Sequence, residues 1–142
     1  MILPDLNVLL YAVDADSARH DRATAWLEEV VNGGTEEIGL PWAVILGFLR
    51  LSTSNRVFPR PLSVQQSLEW IRDLAARPSV RILDPGKTHL GILGHLLLAS
   101  GTGGNLTTDA HLAALCLEQD AALATGDRDF LRFPGLRVEL LY

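Results

Sequence analysis

Short apolar runs alternate along this chain with longer stretches of helical period, and that alternation restricts what it can fold into. The runs at residues 2–5, 38–40, 80–83, 121–125 and 136–141 are built mainly from Ile, Leu, Val and Ala. Brief apolar runs of this kind suit strands covered on both faces, the setting of a parallel sheet. Between them, apolar residues recur every three or four positions, as Ala23, Trp26, Leu27, Val30 and Val31 do. Helices crossing over between strands produce that pattern. The expected class is α/β, a sandwich around a mostly parallel sheet.

Local signals fill in the elements. A short helix is expected from Leu6, and Asp16 or Ser17 is placed to cap the next one, which Asn32-Gly33-Gly34 ends. Pro41 is expected in the first turn of a helix over 41–51, where a missing N–H is tolerated. That helix is apolar nearly all round (Trp42, Val44, Ile45, Leu46, Phe48, Leu49), so it is expected to be central and buried. Ser63 caps a helix to about residue 76, and Asp84-Pro85-Gly86 marks a turn before a helix over 87–100. The glycine-rich 101–104 reads as a flexible connection, and Thr107 or Thr108 caps a helix running to Leu117.

With 142 residues, the chain is expected to form one domain over 1–142, large enough to bury a core. It is 48% hydrophobic and 20% charged, which excludes a disordered chain. No apolar run approaches the ~18 residues of a membrane span. Pro4 and Asp5 follow directly on the start, leaving no signal-peptide pattern. The single cysteine, Cys116, sits in an apolar run that reads as core. A reducing cytoplasm is therefore the expected compartment. The net charge of −5 argues against a broad basic nucleic-acid surface. It leaves room for a nuclease whose acidic cluster carries several of those charges.

The chemistry is carried by aspartates at element boundaries. Asp5 ends the first expected strand, and Asp109 stands in Leu106-Thr107-Thr108-Asp109-Ala110-His111-Leu112. Asp127 and Asp129 stand in Ala124-Thr125-Gly126-Asp127-Arg128-Asp129-Phe130. Parallel strands present their carboxyl ends along one edge, so such aspartates can share a crevice. Carboxylates brought together repel one another unless a hard divalent cation sits among them. Read singly, each has a structural alternative, as a helix cap or a first-turn acid favoured by the helix dipole. Asn7 is a local cap or an amide that orients a carboxylate or water, and Thr108 and Thr125 are weaker candidates for the same. The four histidines, His20, His89, His95 and His111, read as packing or surface residues. His111 follows Asp109 by two positions, which puts it on another helix face.

These segments, in this order, resemble the PIN-domain ribonucleases, and in particular the VapC-type toxins of bacterial toxin–antitoxin pairs. The resemblance starts at Asp5-Leu6-Asn7 and takes in Leu40-Pro41-Trp42 and Arg56-Val57-Phe58-Pro59-Arg60-Pro61. It continues through Asn105 to Leu112 and closes at Asp127-Arg128-Asp129-Phe130. It implies a three-layer α/β/α sandwich with a twisted sheet of four to five strands. It also implies a Mg²⁺- or Mn²⁺-dependent endoribonuclease in which Asp5, Asp109 and Asp127, with Asp129 as a further ligand, hold the metal. Structured RNA such as tRNA or rRNA would be the substrate, with a cognate VapB-type antitoxin and a homodimer as partners. Arg50, Arg56, Arg60, Arg128 and Arg132 are the arginines expected to position RNA, with solvated surface charge as the alternative.

The chain departs from the family pattern at one position. PIN nucleases usually carry a glutamate in the middle of the central helix, where this sequence has Gly47, and no Asp or Glu occurs between Glu37 and Glu69. Close packing or room in the pocket would each account for the glycine. The departure keeps a second reading open, a catalytically weakened PIN domain that binds RNA or antitoxin without efficient cutting. A phosphotransfer receiver domain also clusters aspartates but needs a lysine near its last strand, and the sole lysine here is Lys87.

Overall fold

The computed structural model describes residues 1–101 and 103–142. Five parallel strands form one sheet: β1 (Ile2–Pro4), β2 (Ile38–Pro41), β3 (Val80–Leu83), β4 (Ala122–Thr125) and β5 (Arg137–Leu140), in the order β3-β2-β1-β4-β5. Six helices complete the fold: α1 (Leu6–Val13), α2 (His20–Gly33), α3 (Trp42–Ser52), α4 (Val64–Ala75), α5 (His89–Ser100) and α6 (Leu106–Glu118). They cover both faces of the sheet, giving the expected three layers.

Alternation along the central strands assigns the two faces. Ile2 and Ala124 enter one apolar cluster with Val8, Ala23 and Trp26 of α1 and α2. Leu3 and Leu123 enter the larger one, with Val44 and Phe48 of α3, Leu96 of α5 and Leu112 to Cys116 of α6. Cys116 is fully buried, and burial pushes its thiol up to about 12, which leaves it an inert packing residue.

The elements depart from their sequence-based bounds for local reasons. Asp5 leaves the strand and becomes the N-cap of α1. Ser17 accepts the Arg19 N–H at 3.1 Å inside a turn that precedes α2, so Arg19 and neither Asp16 nor Ser17 stands at the N-cap position. Pro41 keeps an extended ψ of 151° and ends β2 opposite Leu83, instead of opening the helix. The Ser63 cap forms as a full capping box with Gln66. Thr107 and Thr108 lie within α6, whose N-cap is Asn105. The 101–104 connection contains Thr102, which lies outside the described residues.

The central helix is not buried all round. Val44, Ile45, Gly47 and Phe48 face inward, whereas Trp42 and Leu46 are 48% and 59% exposed. Those two and Arg50 recur four residues apart and so share an outer stripe.

The Ser52 hydroxyl at the end of α3 meets the Ser67 hydroxyl of α4 at 2.7 Å, and both residues are buried. Ser67→Ala should therefore cost about 1–3 kcal/mol by stranding the Ser52 hydroxyl, and the double substitution to alanine should recover part of it. Urea denaturation of Ser52→Ala, Ser67→Ala and the double variant measures the coupling; strictly additive losses would mean the pair contributes nothing.

Candidate active site

The chain order of the sheet runs outward from β1 to β3 on one side and from β4 to β5 on the other. The crevice at such a switch point opens at the carboxyl ends of β1 and β4. Asp5 follows β1 directly, and its N–H donates to the Ala124 carbonyl at 2.9 Å, tying the head of α1 to β4. Asp5 as a residue is only 6% exposed. The Thr125 hydroxyl, fully buried at the end of β4, donates to Asp5 Oδ2 at 2.8 Å and accepts the Asp127 N–H at 3.0 Å. One hydroxyl thus sets the spacing of two acids. Asp127 caps the 3₁₀ turn Arg128–Arg132 by accepting the Asp129 N–H at 2.8 Å. Asp109 enters from the first turn of α6.

Asp5, Asn7, Thr108, Asp109 and Asp127 line one cavity of about 150 Å³, whose apolar wall is Leu6, Ala43, Val44, Leu112 and Phe130. Burial pushes the Asp109 carboxyl up to about 6, with the charges of Asp5, Asp127 and Asp129 adding to the rise and Arg132 opposing it. Burial also raises Asp5, against the hydrogen bonds from Thr125 and the Leu6 backbone. The lining groups are all oxygen donors with an excess of negative charge, which is the chemistry a hard divalent cation matches. Among the described residues no three acidic, histidine or cysteine side chains stand close enough to ligate one ion as arranged here. The carboxylates ring the cavity, an arrangement that suits a cation held by one or two of them and by water.

The remaining candidates are distributed unevenly. Asp129 is exposed and pairs with Arg132 at 3.3 Å, near enough to raise Asp109 but outside the cavity lining. Arg128 is exposed on the same turn. Arg50 and Arg56 are exposed on α3 and the loop after it, and Arg60 makes only a loose 3.9 Å pair with Asp16. None of these five arginines lines the acidic cavity. His111 turns away from Asp109, as its spacing implies. Its Nδ1 meets His89 Nε2 at 2.8 Å, and His89 Nδ1 bonds Glu118, joining α5 to α6.

Gly47 is explained by packing. A Cβ there would come within 2.6 Å of Leu6 Cδ2, so the space next to the central helix is taken by the Leu6 side chain. The α3 residues that line the cavity are Ala43 and Val44, one turn earlier. Of the two accounts open from the sequence, close packing is the one the structure supports: a side chain at 47 would first have to displace Leu6.

Sequence reasoning missed a second cavity of about 230 Å³ beside the first, lined by Asn7, Tyr11, Arg19, Gly126, Asp127 and Tyr142. Its only sequence signal is the glycine before Asp127. The Tyr142 ring lies so close over Gly126 that a Cβ would sit 1.9 Å from it.

A parallel sheet with an acidic crevice at its switch point places a ligand site at the carboxyl ends of its strands. The PIN domain model matches residues 2–136, and the chain belongs to that family. It is 44% identical to Ribonuclease VapC33 of Mycobacterium tuberculosis over 96% of this chain and 95% of the relative. It is 41% identical to Ribonuclease VapC37 of the same species, over 96% and 94%. Among solved structures it is similar to VapBC2 from Rickettsia felis bound to a promoter DNA fragment, with a TM-score of 0.72, 21% identity and coverage of 99% and 98%. VapBC-1 from nontypeable Haemophilus influenzae gives 0.70, 18% identity and the same coverage. At these identities the two structures speak for the fold.

The raised Asp109 has a consequence for the metal-free protein. Its ordinary value is 3.8, and in the fold it is about 6. Between those values the folded state keeps a proton that the unfolded chain has lost, so stability falls as pH rises through the window. Asp109→Asn should therefore melt higher than the parent at pH 7 in chelator, and the two should converge below the ordinary value. Thermal melts across the window check this; a constant offset would mean Asp109 does not titrate there.

Proposed function

We propose that this chain is a divalent-metal-dependent endoribonuclease, the toxin of a toxin–antitoxin pair, that cuts structured RNA such as tRNA or rRNA. The observation carrying the reading is the meeting of Asp5, Asp109 and Asp127 around one cavity at the switch point of the sheet. The names of the relatives at 44% and 41% identity support it. Asp5, Asp109 and Asp127 would hold Mg²⁺ or Mn²⁺, one or two of them directly and the remainder through water, with Asp129 near enough to add field but turned to Arg132. The cation, when bound, supplies a water of lowered pKa and offsets charge on the scissile phosphate.

Thr125 aims the Asp5 carboxylate by donating to its Oδ2 and favours its charged form against the effect of burial. Asn7 and Thr108 line the same space with an amide and a hydroxyl able to orient water or a phosphate oxygen. Leu6, Val44, Leu112 and Phe130 exclude bulk water from one side, which strengthens every charge interaction in the site.

A VapB-type antitoxin is the proposed partner, supported by the VapBC complexes among the structural neighbours. A homodimer is supported by apolar side chains left outside the core, Trp42 and Leu46 on α3 and Leu90 and Leu98 on α5. No helix among the described residues is long and apolar enough to cross a membrane, and cytoplasmic placement is part of the proposal. Gly47 favours the second reading, an RNA- or antitoxin-binding domain with weak cutting, because it removes a carboxylate from the family's set.

Purified protein with total RNA and Mg²⁺, Mn²⁺ or chelator decides between them. Asp5→Asn and Asp109→Asn should each lower cutting by roughly 10²-fold or more, in the range of losing a charge-stabilising group, with the fold retained by circular dichroism. Undiminished cutting in either variant or in chelator would refute the metal mechanism. RNA binding without metal-dependent cutting by the parent protein would establish the weakened reading.

Gly47 offers a separate check on the cleft. Replacing it by alanine gains about 1 kcal/mol of helix propensity but forces Leu6 to move. Gly47→Ala should therefore be more favourable in a Leu6→Ala background than alone, by about 1 kcal/mol in a double-mutant cycle. Zero coupling in denaturant titrations would show that Leu6 does not occupy the glutamate's place.

A further inference from the structure

We propose that the cavity walled by Tyr11, Arg19 and Tyr142 is a phosphate subsite of the same cleft. In it the Arg19 guanidinium holds the RNA phosphodiester next to the one being cut. The inference rests on the ribonuclease reading for the identity of its ligand. Its geometry stands apart from the acidic centre while touching it, because Asn7 and Asp127 line both cavities.

Arg19 is held by aromatic faces and by no acid. Its guanidinium carbon lies 4.6 Å over the Tyr142 ring and 5.6 Å over that of Tyr11. The two rings meet edge to face at 5.7 Å. Four other arginines near strand ends are engaged: Arg22 with the Leu141 carbonyl, Arg81 with Glu37, Arg132 with Asp129, Arg137 with Asp120. Arg128 is exposed on the turn after β4, without an aromatic seat among the described residues. Arg19 makes no ion pair among the described residues, although Asp127 lines the same cavity. Contact with the two rings positions the guanidinium without using its N–H groups, which stay available to a ligand.

The placement is built from the catalytic loop outward. Gly126 precedes Asp127, and its missing side chain is what lets the Tyr142 ring settle there. Arg19 in turn rests on that ring. The position of the cation is thereby referred to the backbone that carries an acid of the proposed centre.

A phosphodiester is the ligand this chemistry selects. The planar fork of arginine matches two oxygens of a phosphate. The ring faces are already covered by the guanidinium, so a base has little left to stack on. A cation beside the acidic ring also supplies the local attraction for RNA that a chain of net charge −5 otherwise lacks.

The test measures binding apart from cutting. A fluorescein-labelled single-stranded RNA of roughly 12 nucleotides is titrated by anisotropy in chelator over a range of salt. The proteins are the parent, Arg19→Gln, Arg19→Met, Arg19→Lys, and Arg72→Gln on α4 as a surface control. Arg19 is exposed, and the methionine keeps an apolar stem on the rings should glutamine loosen them. Arg19→Gln and Arg19→Met should weaken binding about tenfold and flatten the log–log salt slope by about 0.7, the loss of one phosphate contact on a single strand. Arg19→Lys should keep the slope and lose part of the affinity.

Variants at 19 that match Arg72→Gln in both affinity and slope would overturn the subsite. So would a poly-glutamate peptide whose binding depends on Arg19 more than that of RNA, which would assign the cavity to a protein segment. Because no cutting is read, a parent that fails to cleave RNA in the separate metal assay refutes the nuclease reading while Arg19-dependent RNA binding still supports the subsite.

Discussion

The hydroxyl of Thr125 is the contact on which the acidic cleft depends. It is fully buried at the end of β4, donates to Asp5 and accepts from the backbone of Asp127. A buried carboxylate without a donor would take up a proton or swing toward solvent, because removing its charge from water is costly. The hydrogen bonds from Thr125 and from the backbone of Leu6 oppose that tendency. The parallel pairing of β1 with β4, in register from Ile2–Ala122 to Pro4–Ala124, brings the threonine to the acid. Sheet register and site geometry are thus one constraint: a slip of one residue would turn the threonine to the other face.

The cleft is also shaped by what closes it from below. Leu6, between the two polar residues Asp5 and Asn7, lies against the bare backbone of Gly47 and lines the cavity. A glutamate at 47 and a leucine at 6 would compete for one volume, and this chain has resolved the competition toward packing. Fewer carboxylates then face the cavity, and burial, helped by the repulsion among those that remain, still lifts Asp109 to about 6. An acid poised there would give up its proton readily to a bound cation, so the proposed metal binding would be linked to proton release.

Charge is arranged on a short scale. The net charge is negative, and four of the eleven arginines are tied to acids or carbonyls across strand ends and turns. Arg19 differs because two tyrosines hold it instead of a carboxylate. Aromatic support leaves the full charge of the guanidinium available, whereas an ion pair would have spent it. A molecule that is acidic overall can in this way keep one directed cation at the edge of an acidic cleft.

The sequence by itself determined the layered α/β class, the five strands to within a residue or two, the Ser63 cap and the buried thiol of Cys116. Each of these is a local matter of period, capping chemistry or apolar runs. It also marked Asp5, Asp109 and Asp127, because acids at element boundaries are visible in the order of residues. What only the tertiary structure decided is which groups meet. The bridge from Thr125, the Leu6 side chain over Gly47, the outer stripe of Trp42 and Leu46, and the seat of Arg19 on Tyr142 each join residues brought together by packing. Tyr11, Arg19 and Tyr142 carry no shared spacing, and Arg50, Arg56 and Arg60, closer in sequence to the central helix, line neither cavity. Periodicity reports the face a residue takes within its own element. The distance between elements is set by side-chain volume and sheet register, and those act only once the chain has closed on itself.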